Sequence, residues 1–434
     1  MKIKVKPSIL QGRITAPSSK SYTHRAIILA SLCEGSSTVI NPLISQDTLA
    51  TINACISLGA SISYATPKLG GIVIRGRLPL KAPDDIIDVK NSGTTLRLIS
   101  SVAALTSKGF SILTGDKSIR RRPMQPLLDA LQTIGVRCWS TRLNGFAPLI
   151  IEGGGIQGGS SSISGSISSQ FISSLLISAP LAYQETTVKI KDTLVSRPYI
   201  DATLEIIQKF GGTIKEDGIR SFKITPLQKY TPISFKVPGD FSSISFILAG
   251  GVLTQGDVSI NGLDFGLPQG DAAIINILKK MGVNMSVDLD KGSIRVQGTD
   301  HLFGGDFNLS DTPDLLPVVA LLACKCEDEV IIRGVKHARL KETDRVSVLA
   351  EELPKLGVSI IEKEDGLKII GTKQLKQCTL NTHGDHRMAL AFTIAGMISQ
   401  TGCLIEDFES VDVSYPSFKE DIHSLGGKLE PVDN

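Results

Sequence analysis

The stretch ACISLGASI, residues 54–62, joins an apolar helical pattern to a short strand-like run through Gly59. A glycine just after a helix suits the left-handed backbone conformation, which other residues adopt at an energetic cost. Five similar stretches follow, with intervals of 76, 76, 71, 75 and 69 residues between successive glycines. They read ALQTIGVRC, IIQKFGGTI, ILKKMGVNM, ELPKLGVSI and IHSLGGKL, with glycines at Gly135, Gly211, Gly282, Gly357 and Gly426. The pattern predicts six related units.

A second helical pattern alternates with the first and is apolar on nearly every face, which predicts buried helices. Most of these segments begin with Ser, Thr or Asp, the residues that cap helices. Six units in 434 residues give a period of about 72 residues, which is longer than that of common solenoid repeats. We therefore predict an α+β fold of six small modules, grouped as two domains of three, with the chain crossing between domains near residues 232–240. The second pattern reads SYTHRAIILASLCEG, GTTLRLISSVAALTSKG, SSQFISSLLISAPLA, FSSISFILAGGVLTQG, TPDLLPVVALLACKC and DHRMALAFTIAGMIS.

Composition and charge exclude several classes of protein. The net charge of +3, from 46 basic and 43 acidic residues, is too balanced for a general nucleic-acid binder. Seven scattered cysteines argue against a disulfide framework and favour a reducing compartment. No apolar run reaches the roughly 20 residues of a membrane helix, and residues 1–10 show no secretory core. We expect a cytoplasmic protein without nucleic-acid or membrane partners.

Polar and basic residues recur where the predicted buried helices begin. Free backbone amides and the helix dipole attract phosphate and carboxylate groups there. One such helix start is more often a simple cap, but accompanying basic residues at several of them favour anion binding, because arginine forks match these groups. The motifs are PSSKSYTHR with Lys20, Ser21 and Arg25; NSGTTLR with Gly93; SISSQF with Ser168, Ser169 and Gln170; and GDHRM with His386 and Arg387.

Further charged residues lie in neighbouring loops. In TPDLLP, Asp314 either complements a helix dipole or, if desolvated near cations, acts as a general base. RLKETDR is either a solvated surface or part of a site. No Walker A motif, dinucleotide fingerprint or clustered metal ligands occur among the motifs, and His383-x-x-His386 is weak evidence for a metal. We expect no metal and no cofactor, and two anionic substrates. The loop residues are Lys341, Glu342, Asp344 and Arg345 in RLKETDR, Arg122 in SIRRRPM, and Ser196 and Tyr199 in LVSRPY.

Taken together and in order, these motifs resemble the 5-enolpyruvylshikimate-3-phosphate synthase family (3-phosphoshikimate 1-carboxyvinyltransferases) over nearly the whole chain. The resemblance implies transfer of the enolpyruvyl group from phosphoenolpyruvate to the 5-hydroxyl of shikimate-3-phosphate. It also implies two domains of three βαβαββ modules each, closing on the substrates. The expected domains are residues 18–236, on the shikimate-3-phosphate side, and residues 1–17 plus 237–434. A monomer is expected.

Motif matching carries the family's site residues onto this chain. Asp314 is expected to accept the proton of the 5-hydroxyl, Glu342 to protonate the methylene carbon, and Lys20 to assist catalysis. The expected contacts of shikimate-3-phosphate are Lys20, Ser21, Arg25, Ser168, Ser169, Gln170, Ser196, Tyr199, Asp314 and Lys341. Those of phosphoenolpyruvate are Lys20, Gly93, Arg122, Gln170, Arg345 and Arg387. The resemblance also implies that the enzyme is a target of glyphosate, a mimic of phosphoenolpyruvate.

Two alternatives and two departures from the family pattern stay open at this point. A UDP-N-acetylglucosamine enolpyruvyl transferase shares the fold, but SIRRRP lacks the cysteine of that family. A non-catalytic binder of phosphometabolites needs neither Asp314 nor Glu342. Val413 stands where a phosphoenolpyruvate-binding lysine is usual, and His337 replaces an asparagine of some members.

Overall fold

The glycines of the six repeats all adopt the left-handed backbone conformation in the computed structural model, which describes residues 1–65 and 70–432. Their φ angles lie between 81° and 106°. Gly59, for example, stands one residue beyond the C-cap of its helix and leads into a strand. A side chain would be strained at such angles. The repeat in the sequence is thus a repeat of structure.

Helices of two kinds alternate along the chain. The odd-numbered helices are almost wholly buried, whereas the even-numbered ones bury one face. This is the alternation that the two helical patterns predict. The helices are α1 Lys20–Ser31, α2 Gln46–Ser57, α3 Gly93–Ala103, α4 Gln125–Thr133, α5 Ser169–Ser178, α6 Arg197–Lys209, α7 Phe241–Leu253, α8 Ile274–Lys280, α9 Leu316–Ala323, α10 Arg345–Glu352, α11 His386–Met397 and α12 Phe418–Ser424.

The strands form six four-stranded sheets in the described part of the chain, and all six share one topology. Each has one parallel pair at an edge and two antiparallel pairs. The strands are β1 Lys2–Lys6, β2 Gln11–Thr15, β3 Gly35–Ile40, β4 Ser61–Tyr64, β5 Gly71–Gly76, β6 Ile87–Asp88, β7 Phe110–Thr114, β8 Cys138–Ser140, β9 Leu149–Glu152, β10 Gly159–Ile163, β11 Thr186–Ile190, β12 Ile214–Glu216, β13 Ser221–Ile224, β14 Ser234–Lys236, β15 Asp257–Asn261, β16 Met285–Asp288, β17 Ser293–Gln297, β18 Gly305–Asn308, β19 Val330–Arg333, β20 Ser359–Lys363, β21 Gly366–Ile370, β22 Thr379–Asn381, β23 Cys403–Glu406 and β24 Lys428–Val432.

The chain divides into two compact units. The continuous unit is Ser18–Val237, with α1–α6 and the sheets β14-β3-β5-β4, β6-β7-β9-β8 and β10-β11-β13-β12. The discontinuous unit is Met1–Pro17 with Pro238–Asn434, and it holds α7–α12 and the other three sheets. The first two strands join it, because β1 lies between β23 and β24 and β2 pairs with β15. The α+β fold of two three-module units is confirmed.

The core of the discontinuous unit forms around α7, α9 and α11, which pack against one another. Every residue of these three helices is buried. Burying one large aliphatic or aromatic side chain stabilises the fold by about 1.5–3 kcal/mol. The packing also gathers the polar starts of these helices at one end of the unit, where Arg387 contacts both Ser242 and Asp314.

No described helix is both long and apolar enough to span a lipid bilayer.

Candidate active site

Lys20 is the first residue of α1 and forms an ion pair with Asp47 in the continuous unit. The distance from Lys20 Nζ to Asp47 Oδ2 is 2.8 Å, and the two side chains are 14% and 6% exposed. Burial raises the pKa of Asp47, but the Lys20 ammonium and His24 outweigh it and hold that pKa well below its ordinary value. The carboxylate is therefore ionised at neutral pH and fixes the ammonium at the start of the helix.

A ring of buried hydrogen bonds supports this ion pair. His24 Nδ1 lies 2.6 Å from Thr51 Oγ1, which lies 2.6 Å from Thr95 Oγ1. Thr95 Oγ1 lies 2.6 Å from Ser92 Oγ, which donates to Asp47. His24 Nε2 closes the ring at 3.4 Å from Asp47. The ring joins the starts of α1, α2 and α3, which carry Lys20, Asp47 and Gly93.

Burial lowers the pKa of His24, so its imidazole is neutral at pH 7. Its Nε2 is the ring nitrogen that faces the Asp47 carboxylate, and this contact helps to hold the pKa of Asp47 low.

Asp47→Asn is expected to destabilise the protein at pH 7 by about 3 kcal/mol, because it leaves the Lys20 ammonium without its buried counterion. A carboxylate with a lowered folded-state pKa stabilises the fold above its unfolded-state pKa, near 3.9, and loses that contribution as pH falls below it. The difference between variant and wild type should therefore shrink from pH 7 to pH 3. Urea unfolding across this range measures it. A difference that stays constant with pH would contradict the ion-pair explanation.

Gly93 and Arg122 lie in close contact. Gly93 is the first residue of α3, and Arg122 follows the 3₁₀ helix Ile119–Arg121 with 5% exposure. A Cβ atom added to Gly93 would lie 2.2 Å from Arg122 Nη1. A glycine at this position therefore leaves the space that the guanidinium occupies.

Gln170, the second residue of α5, links α5 to α3. Its side-chain amide donates to Thr94 Oγ1 at 3.0 Å and accepts from Arg97 Nη1 at 2.7 Å. The guanidinium of Arg97 also lies 5.3 Å from the centre of the Phe171 ring. Sequence reasoning missed Arg97, although an arginine in the apolar helix of NSGTTLR was a signal, since a buried charge needs a partner.

Arg25 is buried between α1 and α6. Its guanidinium donates to Thr203 Oγ1 at 2.8 Å and to the carbonyl oxygens of Ser21 at 2.9 Å and Tyr199 at 3.1 Å. Ser196 caps α6 with φ 58°, a left-handed conformation unusual for a non-glycine residue and common at functional sites. The Arg25 contacts bring Ser21 and Tyr199 together, and the backbone N–H of Tyr199 donates to the carbonyl oxygen of Ser196 at 3.2 Å. Ser168 caps the neighbouring helix α5 and Ser169 begins it.

Asp314 contacts three basic residues of the discontinuous unit. It lies in the 3₁₀ helix Pro313–Leu315, directly before α9. Its Oδ1 accepts from Arg345 Nη1 at 2.8 Å and lies 3.5 Å from Lys341 Nζ, and its Oδ2 accepts from Arg387 Nη2 at 3.0 Å. Three cations from three separate loops or helices thus surround one carboxylate.

Arg345 connects Asp314 to two further carboxylates. Its Nη2 donates to Glu342 Oε2 at 2.8 Å and its Nε to Asp385 Oδ2 at 2.8 Å. Burial lowers the pKa of Arg345, but the carboxylates of Asp385, Glu342 and Asp314 raise it above its ordinary value. Asp385 also caps α11 by accepting from the backbone N–H of Arg387 at 2.9 Å. We call Asp314, Glu342, Arg345, Asp385 and Arg387 the carboxylate cluster.

The two departures from the family pattern add no cation to this unit at neutral pH. Val413 is a buried apolar residue at the end of the 3₁₀ helix Phe408–Val413. Burial, and to a lesser degree the Lys341 ammonium, lowers the pKa of His337 to about 4, so its imidazole is neutral. The positive charge next to Asp314 therefore comes from Lys341, Arg345 and Arg387.

Three side chains of metal-ligand type come together outside the carboxylate cluster. Glu351, Glu352 and His383 have ligand atoms within 4.8 Å of one another. The Lys355 ammonium lies 2.7 Å from Glu352 Oε1 and already neutralises that carboxylate. His386, the second histidine of the H-x-x-H pattern, does not belong to this group.

Comparison with known proteins gives one consistent result. The family described as EPSP synthase (3-phosphoshikimate 1-carboxyvinyltransferase) matches residues 5–422. The 3-phosphoshikimate 1-carboxyvinyltransferase of Methanocaldococcus jannaschii is 46% identical over 421 residues, which cover 97% of each chain. That of Nitrosopumilus maritimus is 45% identical over 99% of this chain and 100% of the relative. A solved EPSP synthase from Acinetobacter baumannii superposes with a TM-score of 0.83 at 27% identity, covering 99% of this chain and 100% of the other.

Proposed function

The chain belongs to the EPSP synthase family, and we propose which of its residues bind the two substrates and which carry out the chemistry. The enzyme is a transferase of the shikimate pathway. It moves the enolpyruvyl group of phosphoenolpyruvate to the 5-hydroxyl of shikimate-3-phosphate, giving 5-enolpyruvylshikimate-3-phosphate and phosphate. The family match decides against the UDP-N-acetylglucosamine enzyme and against a binder without catalysis.

The observation that supports our catalytic assignment is the position of Arg345. One buried guanidinium donates to Asp314 and to Glu342, at 2.8 Å in each case. The two carboxylates proposed for proton transfer are therefore held by one rigid group, which is the pre-organisation that general acid–base catalysis needs.

We propose that Glu342 protonates the methylene carbon of phosphoenolpyruvate and that Asp314 accepts the proton of the 5-hydroxyl. The hydroxyl oxygen then bonds to the neighbouring carbon, which gives a tetrahedral intermediate. In the second step the bond to the phosphate oxygen breaks, the leaving phosphate takes the proton held by Asp314, and the new methyl group returns a proton to Glu342, so that the double bond and both carboxyl groups are restored. Cations close to the leaving phosphate stabilise the charge that develops on it.

The other proposed site residues are each assigned to one of the two substrates or to both. We propose that Lys20 and Gln170 contact both substrates and that Lys20 assists catalysis. Shikimate-3-phosphate is further assigned to Ser21, Arg25, Ser168, Ser169, Ser196, Tyr199, Asp314 and Lys341. Phosphoenolpyruvate is further assigned to Gly93, Arg122, Arg345 and Arg387.

We also propose that the enzyme works as a cytoplasmic monomer. A single chain supplies residues of both substrate sites, which supports the monomer. The Sγ atoms of Cys378 and Cys403 lie 3.9 Å apart without a disulfide, and all seven cysteines are free, which fits a reducing compartment. Light scattering of the purified protein tests the monomer, and a stable dimer at assay concentration would contradict it.

Gly93→Ala is expected to raise the KM for phosphoenolpyruvate and the inhibition constant of glyphosate. The added methyl group cannot coexist with Arg122 Nη1 at 2.2 Å, so the guanidinium must move away from the proposed anion site. We expect about a tenfold effect, the loss of one charge-assisted hydrogen bond. Steady-state phosphate release measures both constants.

The KM for shikimate-3-phosphate serves as the internal control for Gly93→Ala. It should change much less than the KM for phosphoenolpyruvate. Equal increases in the two KM values would indicate a general distortion of α3. They would contradict the proposed contact between Arg122 and phosphoenolpyruvate.

A further inference from the structure

A buried carboxylate, Asp271, lies next to the carboxylate cluster and has no role in the mechanism above. It belongs to the 3₁₀ helix Gly270–Ala273, directly before α8, and is 4% exposed. Its carboxylate is hydrogen bonded to the side chain of Ser242 in the first turn of α7. A buried acid in such a position needs a physical reason, because burial of a charge is costly.

The hydrogen bonds of Ser242 have a defined direction. Arg387 Nη1 lies 2.6 Å from Ser242 Oγ. A guanidinium only donates, so the hydroxyl accepts from Arg387 and has one proton left to donate. The Ser242 hydroxyl lowers the pKa of Asp271, which is the effect of a hydrogen bond donated to its carboxylate. The backbone N–H of Ser242 donates to Asp240 Oδ1 at 2.8 Å, which fixes the serine itself.

Arg387 therefore lies between two carboxylates. Its Nη1 arm reaches Asp271 through Ser242, and its Nη2 arm donates directly to Asp314 at 3.0 Å. An anion that accepts a hydrogen bond from Arg387 Nη2 must replace the Asp314 carboxylate there. The hydrogen bond from Arg387 Nη1 to Ser242 stays in place during this replacement.

The charges around Asp271 agree with this arrangement. Burial, and then the Asp314 and Asp240 carboxylates, raise the pKa of Asp271 to about 6, against the Arg387 guanidinium and the Ser242 hydroxyl, which lower it. At pH 7.5 Asp271 is thus mainly ionised and is a charged, strong acceptor. The raised pKa means that the ionised carboxylate costs stability, a cost that sets in above the unfolded-state pKa, near 3.9, and is complete above about pH 6.

We propose that Asp271 is a positioning residue for the known reaction, which orients the Arg387 guanidinium towards phosphoenolpyruvate through the Ser242 hydroxyl. The inference rests on the proposed contact between Arg387 and phosphoenolpyruvate. It assigns Asp271 no contact with either substrate.

The test is a double-mutant cycle on the KM for phosphoenolpyruvate at pH 7.5. Asp271→Ala and Ser242→Ala should each raise this KM about tenfold, the loss expected for one hydrogen bond to a charged group. Because both residues act in one chain of hydrogen bonds, the double variant should be no worse than either single variant. Asp271→Asn keeps an acceptor oxygen and should raise the KM less than Asp271→Ala. The KM for shikimate-3-phosphate should stay near its wild-type value throughout.

Additive losses in the double variant, or equal changes in both KM values, would overturn the proposal. If Asp271→Ala does not fold, the cycle of Asp271→Asn with Ser242→Ala answers the same question. Asp306→Ala removes an exposed carboxylate of the same unit and is the matched control, with unchanged kinetics expected.

Arg387→Lys separates the two hypotheses. If it leaves the KM for phosphoenolpyruvate unchanged, the proposed substrate contact of Arg387 is wrong and the inference on Asp271 falls with it. If it raises that KM while Asp271→Ala and Ser242→Ala do not, the contact stands and Asp271 alone loses its role.

Discussion

Asp314→Asn is expected to lower kcat by about 10²–10⁴-fold, the usual contribution of a general base. The amide retains the volume of the side chain but cannot accept the proton of the 5-hydroxyl. Its NH₂ group would also face one of the cations, Arg345 or Arg387, which now donate to the two carboxylate oxygens. Steady-state phosphate release measures kcat, and calorimetric titration should still detect binding of shikimate-3-phosphate.

Asp306→Asn provides the matched control for this loss. It makes the same chemical change eight residues earlier, in an exposed ion pair with Arg333 outside the carboxylate cluster, and should leave kcat unchanged. Wild-type turnover in Asp314→Asn would assign the base to another residue. Loss of shikimate-3-phosphate binding without a change in kcat would make Asp314 a binding residue only.

Much of the fold could be predicted from the sequence because its signals are local. A helix that ends in a left-handed glycine is decided by a few neighbouring residues, and Gly59 and its five equivalents all have the expected φ. The buried helices were predictable for the same reason, since α7 and α11 are apolar on nearly every face beyond their polar first turns. Local signals do not predict that β1 and β2 belong to the discontinuous unit, because this depends on pairing with strands hundreds of residues away.

The sequence could predict a site residue only where that residue belongs to a recognisable motif. Lys341, Glu342 and Arg345 share one motif, but Asp314, which contacts both Lys341 and Arg345, lies about 30 residues away, and only packing brings it to them. Asp47 was missed because its partner Lys20 belongs to another helix. Asp271 lies outside every motif singled out in the sequence, and its importance depends on the direction of a single serine hydroxyl.

Arg345→Met is expected to lower the free energy of unfolding by about 3–5 kcal/mol at pH 7.5, as when one partner of a buried ion pair is removed. The guanidinium is 1% exposed and is hydrogen bonded to Asp314, Glu342 and Asp385. Methionine fills part of the volume but leaves these carboxylates without their shared cation. Urea unfolding measures the loss.

The dependence of this loss on pH separates charge from packing. Burial raises the pKa of Asp385, but chiefly Arg345 lowers it below its ordinary value, so the wild type gains stability from this pair above pH 4 and loses it on acidification. Without Arg345 the carboxylate would be protonated at higher pH, which relieves the repulsion in the variant. The deficit of Arg345→Met should therefore be smaller at pH 5 than at pH 7.5. Arg333→Met, which removes an exposed ion pair with Asp306, should change stability by less than about 1 kcal/mol at both pH values. A deficit of equal size at both pH values would mean that Arg345 stabilises the unit by packing, and that the geometry of Asp314 and Glu342 does not depend on its charge.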